Sequence, residues 1–219
     1  MKDASRLRIA CRAAMELEPG TYVNLGIGIP ALVARYIPLS LQVTLMTESG
    51  LLGMAHPSRE HSTDPDLISA AREPVSFNAG ASFFSSAESF AMIRGGHIDL
   101  SILGALEVDE LGNLANWMVP GKMVLGMGGA MDLAVGAKRI VVAMIHTTRE
   151  KKPKILRRCA LPLTALGVAN RIITEWAVFD LTARGLLLRE IAPDISIEEL
   201  VKLTEAGFEV DKNLKMMPV

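Results

Sequence analysis

The chain has little cysteine. Cys11 and Cys159 are the two in 219 residues. They lie far apart, with no C-x-x-C pair and no Cys/His set at metal-ligand spacing, which argues against a structural zinc site and a disulfide framework and fits a reducing compartment. Aromatic residues make up 5% of the chain, so the core must be aliphatic. Neither sign of charge dominates: 23 Lys and Arg face 24 Asp and Glu, a formal net charge of −1. A polyanion-binding surface, and with it nucleic-acid binding, is not supported, although a local basic patch stays open. No apolar run reads as a membrane span, because Asp132, Lys138 and Arg139 break the most apolar stretches. The sequence also shows no repeat, low-complexity tract or Pro/Ser-rich linker. The opening residues, Met1 to Arg6, lead directly into an amphipathic segment and do not read as a signal peptide. What is abundant is apolar: half of all residues are hydrophobic, with 12 Met and 18 Gly. Such a chain fills a large core and is neither disordered nor collagen-like. The expectation is one soluble, cytoplasmic domain over residues 1–219.

Residues 3–18 carry Leu7, Ala10, Ala14 and Leu17 at helical spacing, and Pro19-Gly20 ends the pattern. Residues 23–27 read as a buried strand running into Gly26-Ile27-Gly28, with Pro30 at a helix start. Residues 43–46 predict a second short strand, followed by Thr47-Glu48-Ser49-Gly50, and residues 55–65 have loop composition. Residues 85–94 predict a helix, and 100–108 and 139–144 further buried strands. Residues 171–181 and 186–191 predict a hairpin at a sheet edge, and Ser196 to Glu199 a capping box opening a last helix. Strands alternating with helices indicate an α/β fold: a single open, largely parallel sheet with flanking helices.

Each candidate motif has a competing structural reading. Gly26-Ile27-Gly28 lacks the third glycine of a dinucleotide fingerprint, since Ala31 stands there, so a tight strand-to-helix turn is the better reading. Glu48 follows a buried strand, and the carboxyl ends of parallel strands are where open α/β folds hold ligands. A solvated loop carboxylate is the alternative. The stretch from Pro120 to Asp132 brings several glycines close to a helix start and lacks a P-loop ending. It reads either as a cradle of N–H groups for an anion or oxyanion, or as a cluster of turns. His97 at a helix C-terminus reads as structural rather than as a general base. His56, His61 and Asp64 share a polar loop and imitate a metal site only weakly. Both cysteines read as structural.

Several blocks together carry a more specific signal. Residues 23–30 (VNLGIGIP), 47–53 (TESGLLG), 89–99 (SFAMIRGGHID), 112–122 (GNLANWMVPGK) and 126–133 (GMGGAMDL) occur in order. Together they closely resemble the beta subunit of the 3-oxoacid CoA-transferases, the family of succinyl-CoA:3-ketoacid and acetate or butyrate:acetoacetate enzymes. The resemblance runs from the first helix to Ala206. It implies the open α/β CoA-transferase fold, a separate alpha subunit that holds much of the CoA site, and a heterodimer or heterotetramer. It implies no metal and no permanently bound cofactor, with coenzyme A entering as acyl-CoA substrate. Glu48 matches the family's catalytic glutamate, and Gly128 and Gly129 match its Gly-rich segment at the reacting thioester. Asn24, Gly26, Gly28, Ser49, Gly50, Asn116 and Lys122 fall in matching blocks as substrate or CoA neighbours, and Asn113 lies in one of them.

The implied chemistry needs a carboxylate that acts as nucleophile and covalent carrier, so that acyl activation is kept without ATP. The sequence departs from the family pattern at Ser49 (usually Asn), at the segment beginning Ala55-His56-Pro57-Ser58, at Ala71 (usually Gly) and at Ile145 (usually Glu). These departures bear on the acid pair and lead to an expected preference other than succinate. Two other readings compete: an acyl-CoA hydrolase using the same glutamate with water as acceptor, and a non-catalytic ligand sensor or scaffold, since related α/β folds bind sugar phosphates.

Overall fold

The computed structural model describes residues 2–38, 40–55, 64, 66–69 and 74–218. His56, His61, Pro57, Ser58 and Ala71 therefore lie outside the described residues. Asp64 is described, and it accepts a hydrogen bond from the Asp66 N–H at 2.9 Å. Among the described residues, no group of three His, Cys, Asp or Glu side chains is placed to hold a metal ion, and no helix is long and apolar enough to cross a membrane.

The chain opens with α1 (Lys2–Ala14), β1 (Tyr22–Leu25), α2 (Ile29–Leu32), a 3-10 turn (Val33–Tyr36), β2 (Thr44–Thr47), β3 (Leu51–Ala55) and β4 (Ser76–Phe83). It continues with α3 (Ser86–Arg94), β5 (Leu100–Leu103), β6 (Glu107–Asp109), β7 (Leu114–Ala115), β8 (Met118–Val119) and β9 (Met123–Val124). The remainder is α4 (Ala130–Gly136), β10 (Ile140–Ala143), β11 (Ile155–Leu156), β12 (Arg171–Ile173), β13 (Ala177–Thr182), β14 (Gly185–Ile191), α5 (Ile197–Leu203) and β15 (Phe208–Met216). Ten strands form one sheet in the order β15-β14-β13-β12-β10-β5-β1-β2-β3-β4. Its centre, β12-β10-β5-β1-β2, is parallel throughout. β3 and β4 extend one side antiparallel. β13 and β14 extend the other side antiparallel, and β15 returns parallel to β14. A three-stranded sheet, β11-β6-β7, and the β8–β9 ribbon stand apart.

The parallel strands are apolar on both faces, as burial beneath helices on each side requires. Val23, Leu45, Leu100, Ile102, Val141 and Ile173 pack with Ile9, Ala10 and Ala13 of α1. Met46, Leu103, Ile140, Val142 and Ile172 pack with Ile93 of α3 and Leu133 and Ala134 of α4. Each Val, Leu, Ile or Met side chain among them contributes about 1.5–3 kcal/mol when fully buried. Both capping boxes form. The Ser85 hydroxyl accepts from the Glu88 N–H while the Glu88 carboxylate accepts from the Ser85 N–H, and Ser196 and Glu199 repeat this.

The structure corrects five expectations. α1 ends at Ala14 rather than at residue 18, because Met15, Glu16 and Leu17 donate to the carbonyls of Arg12, Ala13 and Ala14, tightening the end into i→i−3 turns. Its inward stripe is Ile9, Ala10, Ala13, Ala14 and Leu17, whereas Leu7 is exposed. Residues 100–108 form two strands in different sheets, split at Gly104–Leu106. Residues 171–181 also split, because the Thr174 hydroxyl accepts from the N–H groups of Trp176 and Ala177 and turns the chain there. The β13–β14 hairpin forms around Thr182–Gly185 but is not an edge, since β15 covers β14.

Candidate active site

Glu48 directly follows β2, at the carboxyl end of the parallel strands. The turn that presents it is tightly specified. The Gly50 N–H donates to the Thr47 carbonyl at 3.1 Å, and the Gly50 carbonyl accepts from the Phe84 N–H at 3.0 Å. Gly50 has φ +111°, and a Cβ there would lie 2.0 Å from the Phe84 oxygen, so only glycine fits. The Thr47 hydroxyl accepts from the Ser49 N–H at 3.2 Å and pairs with the Ser49 hydroxyl. Ser49 itself is exposed beside the turn.

Asn24 reaches Glu48 from the neighbouring strand. Its Nδ2 donates to the Met46 carbonyl at 3.1 Å and to Glu48 Oε2 at 3.2 Å. The register pairs Asn24 with Met46, two residues before Glu48, so β1 carries the amide to the base of the turn. Asn24 is fully buried and Glu48 partly exposed. The carboxylate thus has one oxygen anchored and one side facing open space.

That space is a cleft of about 770 Å³ over the carboxyl ends of β1, β5 and β10. Glu48, residues 26–29, 103–106, 125–130 and 143–145, Asn116, Leu133, Arg6, Arg149 and Lys154 line it. Gly26 and Gly28 are in its wall: Gly26 donates to the Ile102 carbonyl at 2.9 Å, and Gly28, at φ +90°, caps α2. Gly129 lies against the glutamate, and a Cβ there would stand 3.3 Å from Glu48 Cγ and 3.2 Å from the Phe90 ring. Gly128 precedes it at φ +49°. The Asn116 Nδ2 donates to the Gly104 carbonyl at 3.1 Å, while its Oδ1 accepts from the Thr164 hydroxyl at 2.7 Å.

The cleft unites Glu48, Gly26, Gly28, Asn116, Gly128 and Gly129 from four separate sequence blocks. Asn24, Ser49 and Gly50 support it from outside its wall. Lys122 is not brought there, because it occupies the exposed turn between β8 and β9. Asn113 is a structural residue. Its Nδ2 donates to Asp109 Oδ2 at 2.9 Å, and its Oδ1 accepts from the Gly167 N–H at 2.9 Å. His97 is exposed near Tyr22, Asp99 and Lys138, at the opposite strand ends. The Cys159 thiol is pushed up to about 12, first by burial and then by Asp109, which makes it inert at neutral pH.

Sequence reasoning missed the cleft's cations. Arg6 and Arg149 are exposed at its rim, and Lys154 is partly buried. The Lys154 ammonium donates to the carbonyls of Ala105 and Ile145, both at 3.1 Å. Burial pushes its pKa down to about 8, while Glu175 and Glu107 act in the opposite sense. Next to it His146 is fully buried, with its ring nitrogens 3.0 Å from the hydroxyls of Thr174 and Thr204. Burial, then the charge of Lys154, lowers the His146 pKa to about 4.

The family model described as coenzyme A transferase matches residues 6–203. A Bacillus subtilis protein, named as one subunit of a probable succinyl-CoA:3-ketoacid coenzyme A transferase, is 52% identical over 214 residues, covering 98% of this chain and 99% of that protein. The beta subunit of the Escherichia coli K12 acetate CoA-transferase is 48% identical over 210 residues, 96% of each chain. Among solved structures, an acyl-CoA transferase from E. coli O157:H7, in a thioester complex with CoA, superposes with a TM-score of 0.78 at 25% identity. It covers 98% of this chain and 43% of that one.

Proposed function

This chain belongs to the coenzyme A transferase family and is an enzyme of the 3-oxoacid type, and from that premise we propose that it is the catalytic beta subunit, a single domain over residues 1–219, with Glu48 as covalent carrier. A Glu48 carboxylate oxygen attacks the acyl-CoA carbonyl. The C–S bond breaks, CoA leaves as thiolate, and an acyl-glutamyl anhydride remains. The thiolate then attacks the Glu48 side-chain carbonyl, forms a glutamyl-CoA thioester and expels the first acid as its carboxylate. A second carboxylate runs the steps in reverse and departs as the new acyl-CoA.

The observation that carries this reading is the position of Glu48, hydrogen-bonded through one oxygen by Asn24 and packed against Gly129 in a largely apolar cleft. The backbone N–H groups at Gly128 and Gly129 are the proposed oxyanion donors; one such donor is typically worth about 3 kcal/mol. An apolar wall suits an anhydride that water would destroy, and it favours transfer over hydrolysis. The substrates are acyl-CoA and short acids, acetoacetate or another 3-oxo acid among them. Coenzyme A is a substrate rather than a resident cofactor.

The partner is an alpha subunit, in a heterodimer or heterotetramer, and the compartment is the cytoplasm. Ile27 and Leu125, 65% and 60% exposed at the mouth of the cleft, fit an apolar face that a partner covers. The test is intact-mass spectrometry of the chain co-expressed with its alpha subunit and exposed to acetoacetyl-CoA, with borohydride or hydroxylamine trapping. A thioester-derived adduct on Glu48, absent in Glu48→Gln, is expected. An intact complex that binds CoA and carries no adduct would refute the mechanism.

A further inference from the structure

Lys154 is a partly buried cation of the cleft for which the mechanism above has no use. It follows Pro153, and its backbone is fastened on two sides. Its N–H donates to the His146 carbonyl at 3.2 Å, and its carbonyl accepts from the Val108 N–H at 3.0 Å. The side chain turns back between the segments that follow β5 and β10. These strands last pair at Leu103 and Val142 and then separate. The ammonium closes that gap through the carbonyls of Ala105 and Ile145.

An ammonium has three N–H donors, and two are occupied here. Among the described residues, no acceptor takes the third. Arg6 and Arg149 stand exposed at the rim of the cleft, whereas Lys154 is partly buried in a wall that Leu103, Met144 and Ile145 also line, with Glu175 and Glu107 near enough to act on its charge. A deep cation with one donor unoccupied gives nothing to a purely alkyl acyl chain. It gives a charge-assisted hydrogen bond to a chain bearing a second oxygen.

We propose that Lys154 is a specificity-determining residue, donating its third N–H to the distal oxygen of the acyl group, the 3-oxo oxygen or a second carboxylate, and so favouring oxygenated short acids over saturated acids of the same length. This deepens the reading given above and rests on it. The cost of leaving a built polar donor unpaired makes such discrimination larger than an added methylene provides.

The experiment compares acetoacetate with butyrate as CoA acceptors from one acyl-CoA donor, using the chain co-expressed with its alpha subunit. The quantity is the ratio of the two kcat/KM values in wild type and in Lys154→Met. A merely structural lysine would lower both values together and leave their ratio unchanged. The expected result is a fall in the acetoacetate-to-butyrate ratio of roughly tenfold or more, the size of one charge-assisted hydrogen bond. A fall of less than about threefold, within the spread of a weak contact, or any rise overturns the assignment, and a larger fall supports it. Lys154→Gln, which keeps N–H donors for the two carbonyls without the charge, decides by the same ratio if the methionine variant does not fold. Trapping the Glu48 adduct in the same preparations separates the two failures. A missing adduct in wild type defeats the carrier mechanism, whereas a normal adduct with an unchanged ratio defeats only the role of Lys154.

Discussion

Asn24 Nδ2 lies 3.2 Å from Glu48 Oε2 and donates to it from a fully buried position on the adjacent parallel strand. The same Nδ2 holds the Met46 carbonyl, so the amide cannot flip without losing both bonds. It fixes the carboxylate rotamer and leaves the other oxygen free for the attack proposed above. Replacing Asn24 by Ala is expected to slow formation of the Glu48 adduct by about 10–100-fold, the value of one hydrogen bond to a charged group. Single-turnover mass spectrometry checks this, and an unaltered rate in a folded variant would remove Asn24 from the mechanism.

Two glycines of the site make opposite predictions. At Gly129 an added Cβ stands 3.2–3.3 Å from the Phe90 ring and Glu48 Cγ, side-chain atoms that can yield slightly. Gly129→Ala is therefore expected to fold and to lose activity through displacement of the carboxylate. At Gly50 the Cβ would meet the Phe84 oxygen at 2.0 Å, and φ is +111°. Gly50→Ala is expected to lose more than about 2 kcal/mol of stability, because backbone must move. Thermal unfolding beside kcat separates the two; a Gly129→Ala protein with full activity would argue against close packing on the proposed nucleophile.

What the sequence made legible was local or block-like. Ser85/Glu88 and Ser196/Glu199 lie three residues apart, and their capping boxes need nothing else from the fold. Glu48 could be read from the end of a buried strand together with the family resemblance. The split at Gly104–Leu106 was not legible, because the chain passes there from one sheet to another, and the split at Thr174–Trp176 was not, because it rests on the Thr174 hydroxyl turning the chain within one sheet. Lys154 was hidden for another reason. In Lys151-Lys152-Pro153-Lys154 it looks like one more solvated charge. Its burial depends on carbonyls 49 and 9 positions away.

Away from the cleft, Glu16 organises a buried charge network. Its carboxylate accepts from Arg12 and Arg171, each at 2.7 Å, and from Arg139, while Arg12 also pairs with Glu190. Burial pushes its pKa up, but the hydrogen bonds from Arg171 and Arg12 outweigh this and hold it below the usual carboxylate range. Glu16→Leu takes one partner from each of Arg12, Arg139 and Arg171, with Arg12 keeping Glu190 and Arg171 keeping Asp180, and is expected to cost about 1–3 kcal/mol. Because the network lies under α1, adduct formation by the surviving folded protein should be unchanged. Urea unfolding measures the loss, and a cost below about 1 kcal/mol would mark the network as energetically neutral.

His146 supplies a pH-dependent stability of definite sign. The Thr204 hydroxyl donates to the Leu200 carbonyl at 2.8 Å, so toward His146 it can only accept, and Nε2 must carry the ring proton. Nδ1 lies 3.0 Å from the Thr174 hydroxyl, whose one proton has two acceptors in reach, Nδ1 and the Ala177 carbonyl at 3.2 Å, and whose oxygen already takes the N–H groups of Trp176 and Ala177. A proton on Nδ1 would add a third donor to that oxygen in a buried place beside the Lys154 cation. The pKa accordingly falls from 6.5 to about 4, chiefly through burial. Between these values the unfolded chain binds the proton and the folded chain does not. The stability from neutral His146 is therefore complete above about pH 6.5 and is lost as the pH falls toward 4, by about 3 kcal/mol in all. Carboxylates also titrate in this range, so the measurement is a difference. Urea unfolding of wild type and His146→Gln from pH 7 to 4 should show wild type losing about 3 kcal/mol more than the variant. Parallel pH dependences in the two proteins would mean that His146 protonates as easily in the folded chain as in the unfolded one, against the burial and the Lys154 charge that hold it neutral.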